Sequence, residues 1–161
     1  MRIFIKNKII SLGGSSTATD ESGQDVYKIK GKFFTLTRKK YIKSMDDEVL
    51  YTVRNRFFNF FVHATYIKDA DGNKIAKVRN HFFTLKSKYS VEGLSDNITV
   101  EGDFFSFNMT VFRNGVPIGN IFRDFSIIRD AFILDSAEED VPFLVALVIA
   151  IDNIIDNRRA S

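Results

Sequence analysis

His63 and His81 are the only imidazoles in the 161-residue chain, and there is no cysteine. Nucleophilic catalysis needs a base held beside a nucleophile, and a zinc or iron–sulfur site needs several thiolates or imidazoles. His81 fills the slot that Lys32 and Arg56 hold in other copies of a repeated pattern, and His63 follows the apolar run FFNFFV. These positions read as surface and packing residues, so no catalytic residue and no metal site are assigned. The run DADGNK (69–74) alternates oxygen ligands as a calcium loop does. Its glycine, however, is fourth and not sixth, and the twelfth position is Asn80 in place of Glu, which predicts a turn. No GxxxxGK[ST] occurs, and Gly13–Gly14 leads into a Ser/Thr-rich stretch, so no nucleotide cradle is expected. Asp152 and Asp156 share a helix face, as an acid–base pair would. The reading preferred is that they mark a helix leaving its apolar surroundings. No enzyme and no cofactor are expected.

Cations are the stronger signal. Lys6 and Lys8 flank Asn7, Lys30 and Lys32 flank Gly31, Arg54 and Arg56 flank Asn55, and Arg79 with His81 flanks Asn80. Two further equivalents depart from the pattern, Glu101 and Asp103 around Gly102 and the Arg123–Asp124 step. Read as hairpin tips, these positions gather at one end of a barrel, and the acidic turns DES (20–22), DDE (46–48) and DAD (69–71) gather at the other. Lys6, Lys8, Lys30, Lys32, Arg54, Arg56 and Arg79 are therefore the candidate ligand-binding residues, a rim suited to phosphate-bearing partners. Arg38–Lys39–Lys40 with Lys43 forms a second cluster, either an extension of that surface or a solvated loop. A net charge of +3 permits an anionic partner without demanding one.

The elements that must position these groups follow from internal repetition. DESGQDVYKIKGKFFTL (20–36) aligns without gaps on DADGNKIAKVRNHFFTL (69–85), and weaker copies stand at 5–12, 53–60, 100–107 and 121–128. Turn-forming residues lie both between and within the copies, so each copy holds two strands, and six copies give about twelve antiparallel strands. A bulge or bend within one long strand, which would halve that count, is the alternative for the internal Gly and Asn positions. In VYKIKGKF, Lys28, Lys30 and Lys32 fall on one face, with Tyr27, Ile29 and Phe33 on the other. With 17 Phe and no Trp, the core is expected to rely on one aromatic.

A barrel of about twelve strands is too wide to be filled by its own side chains. The segment VPFLVALVIAIDNIIDN (141–157) is apolar around its circumference up to Ile151 and supplies a plug. A helix packed outside an open sheet is the alternative. Its apolar run of 11 residues, Val141 to Ile151, is short of the roughly 20 that span a bilayer. The amino-terminal segment lacks the apolar stretch of a signal peptide. The expected molecule is one domain over 1–161, cytoplasmic or peripheral to a membrane.

The runs DVYKIKGKFFTL (25–36), DADGNKIAKVRNHFFTL (69–85), EGDFFSFNMTVFRNGVPIGNIFRDF (101–125) and VPFLVALVIAID (141–152) resemble the LURP-one-related proteins. That family is similar in fold to the tubby C-terminal domain and the phospholipid scramblases. The resemblance implies a mainly β fold, a closed twelve-stranded antiparallel barrel around a hydrophobic C-terminal helix. Tubby-like domains are associated with phosphoinositides and membranes, and scramblases with phospholipids, but no binding signature shared across these families can be placed residue by residue on this sequence. The functional reading, a non-enzymatic module for anionic phospholipid or phosphorylated ligands, rests on the paired cations of the basic rim. A protein-interaction module with no small-molecule ligand, meeting its partner through strand faces or the loop 37–48, is the alternative. Nucleic acid is disfavoured because the Phe pairs are read as strand residues and not as exposed stacking platforms.

Overall fold

The computed structural model describes residues 1–6, 15–31, 37–56, 64–81, 87–103, 108–124 and 131–159. Segments with apolar residues at every second position become strands with one dry face. These are β1 (Arg2–Lys6), β2 (Ser15–Thr19), β3 (Asp25–Gly31), β4 (Lys40–Lys43), β5 (Val49–Asn55) and β6 (Ala64–Lys68). They continue as β7 (Lys74–His81), β8 (Ser87–Glu92), β9 (Ile98–Asp103), β10 (Asn108–Arg113), β11 (Val116–Asp124) and β12 (Ala131–Ser136), before a final helix, α1 (Val141–Arg159). Each strand pairs antiparallel with the next. β1 also pairs with β12, from Arg2 opposite Asp135 to Lys6 opposite Ala131, and this closes the sheet into a twelve-stranded barrel.

Closure leaves no sheet edge and brings the carboxyl ends of all odd-numbered strands to one rim. The connections at the opposite rim carry the acidic turns. Asp20 and Asp69 occupy equivalent places there and do the same work: Oδ1 of Asp20 accepts the amide of Gln24 at 2.9 Å, and Oδ1 of Asp69 accepts that of Asn73 at 2.8 Å. Gly23 and Gly72 take φ of 82° and 85° in these turns, where a side chain would be strained. DADGNK is thus a turn stabilised by its own carboxylate. Just before such turns the register shifts by one residue, at Ala18/Thr19, Ile42/Lys43 and Ile67/Lys68, so the repeats carry a bulge along with the turn.

The internal turns expected at Gly31, Asn55, Asn80 and Gly102 are not turns. Gly31 pairs with Lys40, Asn55 with Thr65, Asn80 with Tyr89, and Gly102 with both Met109 and Ser87. They lie within strands, in alternation with Ile29, Val53, Val78 and Val100, and so face the barrel interior. Asn55 and Asn80 are buried there. At Gly102 a Cβ would run into the backbone of Asn108 and Met109. Asn7, Lys8, Lys32 and the Phe pairs 33–34, 57–58, 82–83 and 104–105 lie outside the described residues. The core that is described is mainly aliphatic: Ile3, Ile5, Ile29, Ile42, Val53, Ile67, Ile121 and Leu134 are buried against the helix, with Phe132 and Phe143 the buried phenylalanines.

α1 runs down the bore. Every side chain from Phe143 to Ile155 is buried, which a helix on the outside of an open sheet could not achieve. It touches β4, β5, β6, β7 and β12. Asp140 caps it, Oδ1 accepting the amide of Phe143 at 3.0 Å while Oδ2 accepts the Tyr51 hydroxyl at 2.9 Å. The Tyr51 ring meets Phe143 edge-on with centroids 5.9 Å apart, fixing the helix start against β5. Among the described residues no helix is long and apolar enough to cross a membrane.

Candidate anion-binding face

Strand alternation sends Lys28 and Lys30 of β3, Arg54 of β5, Tyr66 and Lys68 of β6, and Lys77 and Arg79 of β7 to the outer wall, opposite in sense to the buried Ile29, Val53, Ile67 and Val78. Antiparallel pairing then sets like charges side by side: Lys28 stands opposite Lys43, and Lys68 opposite Lys74. Such pairs are destabilising unless an anion lies between them.

In two places the protein supplies that anion. Asp47 faces Lys28 at 2.9 Å, Lys30 at 3.3 Å and Lys43 at 3.9 Å, and Glu92 faces Lys77 at 3.2 Å and Arg79 at 3.6 Å. Between β5 and β7 it does not, among the described residues. Arg54, Asn55, Arg56, Tyr66, Lys68 and Lys74 line a hollow of about 240 Å³, and no carboxylate is among them. Arg54 is directly opposite Tyr66, and the Lys74 ammonium lies 4.6 Å from the centre of the Tyr66 ring, so the aromatic face holds one cation while the others converge around it. A second cleft, of about 410 Å³, is lined by Lys6, Ser15, Ser16, Thr17, Lys28 and Lys30.

Of the candidate residues from sequence, Arg54 and Arg56 share the first hollow, and Lys6 and Lys30 share the second. Arg79 stands apart, paired with Glu92, and Lys8 and Lys32 lie outside the described residues. Lys6, Lys30, Arg54 and Arg79 stand in the last residues of β1, β3, β5 and β7, which end at one rim, with Arg56 just beyond β5. They reach that rim as strand residues and not as hairpin tips, and Lys28, Lys68, Lys74 and Lys77 carry the charge along the wall. His81 is exposed, with Nε2 2.8 Å from the Ser90 hydroxyl, a surface polar residue. His63 is outside the described residues. Among the described residues no three His, Asp or Glu side chains are grouped to hold a metal.

The cluster at 38–43 separates into different roles. Lys43 joins the wall and Lys39 lies 4.7 Å from the Tyr41 ring centre, but Lys40 points inward and is only 5% exposed. Its ammonium stands 3.7 Å from Oδ2 of Asp152, itself 3% exposed, an ion pair without a hydrogen bond. Arg38 faces Asp156 at 3.3 Å, and its carbonyl accepts Asn153 Nδ2 at 3.2 Å. Asp152 therefore does not mark the exit of α1 into water; it lies inside the barrel. Burial pushes its carboxyl up to about 6, against the opposing pull of Lys40 and Arg123, and burial likewise lowers the Lys40 ammonium. Asn55 continues this polar lining, accepting the Thr65 hydroxyl at 2.9 Å.

With barrel, helix and wall in place, the chain can be set beside known proteins. The family model LURP-one-related matches residues 1–152. The chain belongs to the LURP-one-related family. An Arabidopsis thaliana protein known from its X-ray structure is similar in fold to this LURP-one-related chain, with a TM-score of 0.60 over 95% of this chain and 90% of that one. At 15% identity the likeness concerns the fold alone. No curated protein matches the chain. Sequence reading of this family member missed Tyr66, Lys68 and Lys74. The alternation of ATYIK (64–68) already places Tyr66 and Lys68 on a polar face. Their convergence with Arg54 depends on the β5–β6 register, for which one sequence gives no signal.

Proposed function

We propose that this LURP-one-related barrel is a non-enzymatic binding domain that docks on anionic phospholipid through the wall of β3 to β7. The observation that carries the reading is the hollow of Arg54, Arg56, Lys68 and Lys74, lined among the described residues by four cations and no carboxylate. Surface lysines often blunt sheet edges, but a closed barrel has none to blunt. Tolerating Lys68 opposite Lys74 lowers stability, and an external phosphate would relieve it. Each cation near an anionic leaflet contributes about 1 kcal/mol, so the wall together holds a folded domain there reversibly. The reading puts the domain on the cytoplasmic side, peripheral to the membrane.

The test is co-sedimentation of the protein with neutral and with anionic vesicles across a salt series, alongside an Arg54→Glu/Lys68→Glu variant. Binding to anionic vesicles alone, weakened by salt and lost in the variant, is the expected result. No binding at low salt would overturn it and favour a protein partner, the other use of such a module.

A further inference from the structure

The cleft between β1 and β3 holds a feature the first hollow lacks. Lys28 and Lys30 line it together with Lys6 and the hydroxyl-bearing Ser15, Ser16 and Thr17, yet the same two lysines also reach Asp47. Asp47 belongs to the β4–β5 turn, where it takes φ of 66°, and its amide donates to the Ser44 carbonyl at 3.2 Å. The turn thus presents one half-exposed carboxylate to three ammonium groups on two strands. One negative charge against three positive ones leaves the cluster short of anion. The lysines hold the Asp47 carboxyl below the usual carboxylate range, Lys28 first and then Lys30.

We propose that this cleft is a second anion site, taking a phosphate group, and that Asp47 is a built-in competitor for its lysines. The inference extends the anionic-phospholipid reading and rests on it for a lipid-borne source of the phosphate. In the free protein the Asp47 carboxylate occupies part of the coordination a phosphate oxygen would take. An arriving dianion, with hydroxyls available at Ser15 and Thr17, outbids a single carboxylate for Lys28 and Lys30. Asp47 thereby sets a threshold, so that sparse or singly charged headgroups leave the cleft closed to itself while dense or doubly charged ones open it.

The experiment compares wild type, Asp47→Asn, Asp46→Asn, and Asp47→Asn combined with Lys28→Gln and Lys30→Gln. Asn accepts the left-handed conformation at position 47, so the turn is kept. Asp46→Asn makes the same change in net charge one residue away. On vesicles of phosphatidylcholine with phosphatidate, Asp47→Asn raises affinity by about two- to fivefold over Asp46→Asn, the worth of about one freed cation. The gain disappears with Lys28 and Lys30 removed. In a second arm, inorganic pyrophosphate is titrated and the side-chain ammonium resonances are followed by NMR; those of Lys28 and Lys30 shift at lower concentration in Asp47→Asn. Equal behaviour of Asp47→Asn and Asp46→Asn in both arms overturns the site, even if wild type binds vesicles. Pyrophosphate uptake at Lys28 and Lys30 without vesicle binding upholds the site and removes the lipid as its source.

Discussion

Lys40 Nζ lies 3.7 Å from Oδ2 of Asp152 with both side chains almost wholly buried, so an inward charge at the start of β4 meets its opposite on the helix. Two ions taken out of water lose several kcal/mol of hydration each, and their attraction offsets that only while both are present.

Removing one partner is therefore expected to cost more than removing both. Lys40→Met strands the carboxylate and destabilises the fold by about 3–5 kcal/mol, whereas Lys40→Met with Asp152→Leu stays near the parent or above it. Urea unfolding of the parent, single and double variants measures the difference. A Lys40→Met protein as stable as the parent would show that Asp152 is neutral or satisfied elsewhere.

The same pair gives a pH dependence with a definite sign. Asp152, raised by burial to about 6, binds its proton more tightly folded than unfolded. Its contribution to stability is complete below about 4, the ordinary carboxylate value, and is lost as pH rises through about 6. Lys40 and Arg123 face it and pull the shift down, and Asp156 pushes it up. Relative to Asp152→Asn, the parent should lose stability between those pH values and run parallel to it above them. Parallel curves throughout would mean that the carboxyl titrates normally.

Gly102 tests how closely β9 and β10 are packed. A methyl group there meets the backbone of Asn108 and Met109, and neither can retreat without parting β9 from β10. Gly102→Ala should cost about 1–3 kcal/mol through overpacking. An unchanged melting temperature would require the two strands to sit farther apart than they do.

At the other rim, Asp140 accepts from both the Phe143 amide and the Tyr51 hydroxyl. Asp140→Ala removes the helix cap and should cost about 0.5–2 kcal/mol. Tyr51→Phe leaves the cap and loses one hydrogen bond, about 1 kcal/mol. If Tyr51→Phe proves the costlier change, the hydroxyl holds the carboxylate in its capping position.

Much of the architecture could be read before any coordinates. Alternation in VYKIKG (26–31) assigned Lys28 and Lys30 to the outside and Ile29 to the inside, and the apolar circumference of 141–151 required a surrounding wall. What could not be read was register. Asn and Gly are favoured in turns, and they are also the residues that fit a crowded or polar interior, so Gly31, Asn55, Asn80 and Gly102 pointed to the wrong local structure. Lys40, following Arg38 and Lys39, looks solvated until its pairing opposite Gly31 turns it inward. The basic hollow draws on three strands, and only their lateral alignment joins Arg54 to Lys68 and Lys74.

The segment that fills the barrel is synthesised after every strand that surrounds it. Arg2 waits for Asp135 before the ring can close, and the inner faces of all twelve strands wait longer still, until α1 has left the ribosome. A growing chain thus carries a nearly complete set of apolar strand faces with nothing to wrap, a state in which wrong pairings and aggregation compete with folding. Translation interrupted just before α1 would yield a product with every strand present and no centre. Cellular quality control should meet such a product as unfolded protein and not as a shortened version of the native one.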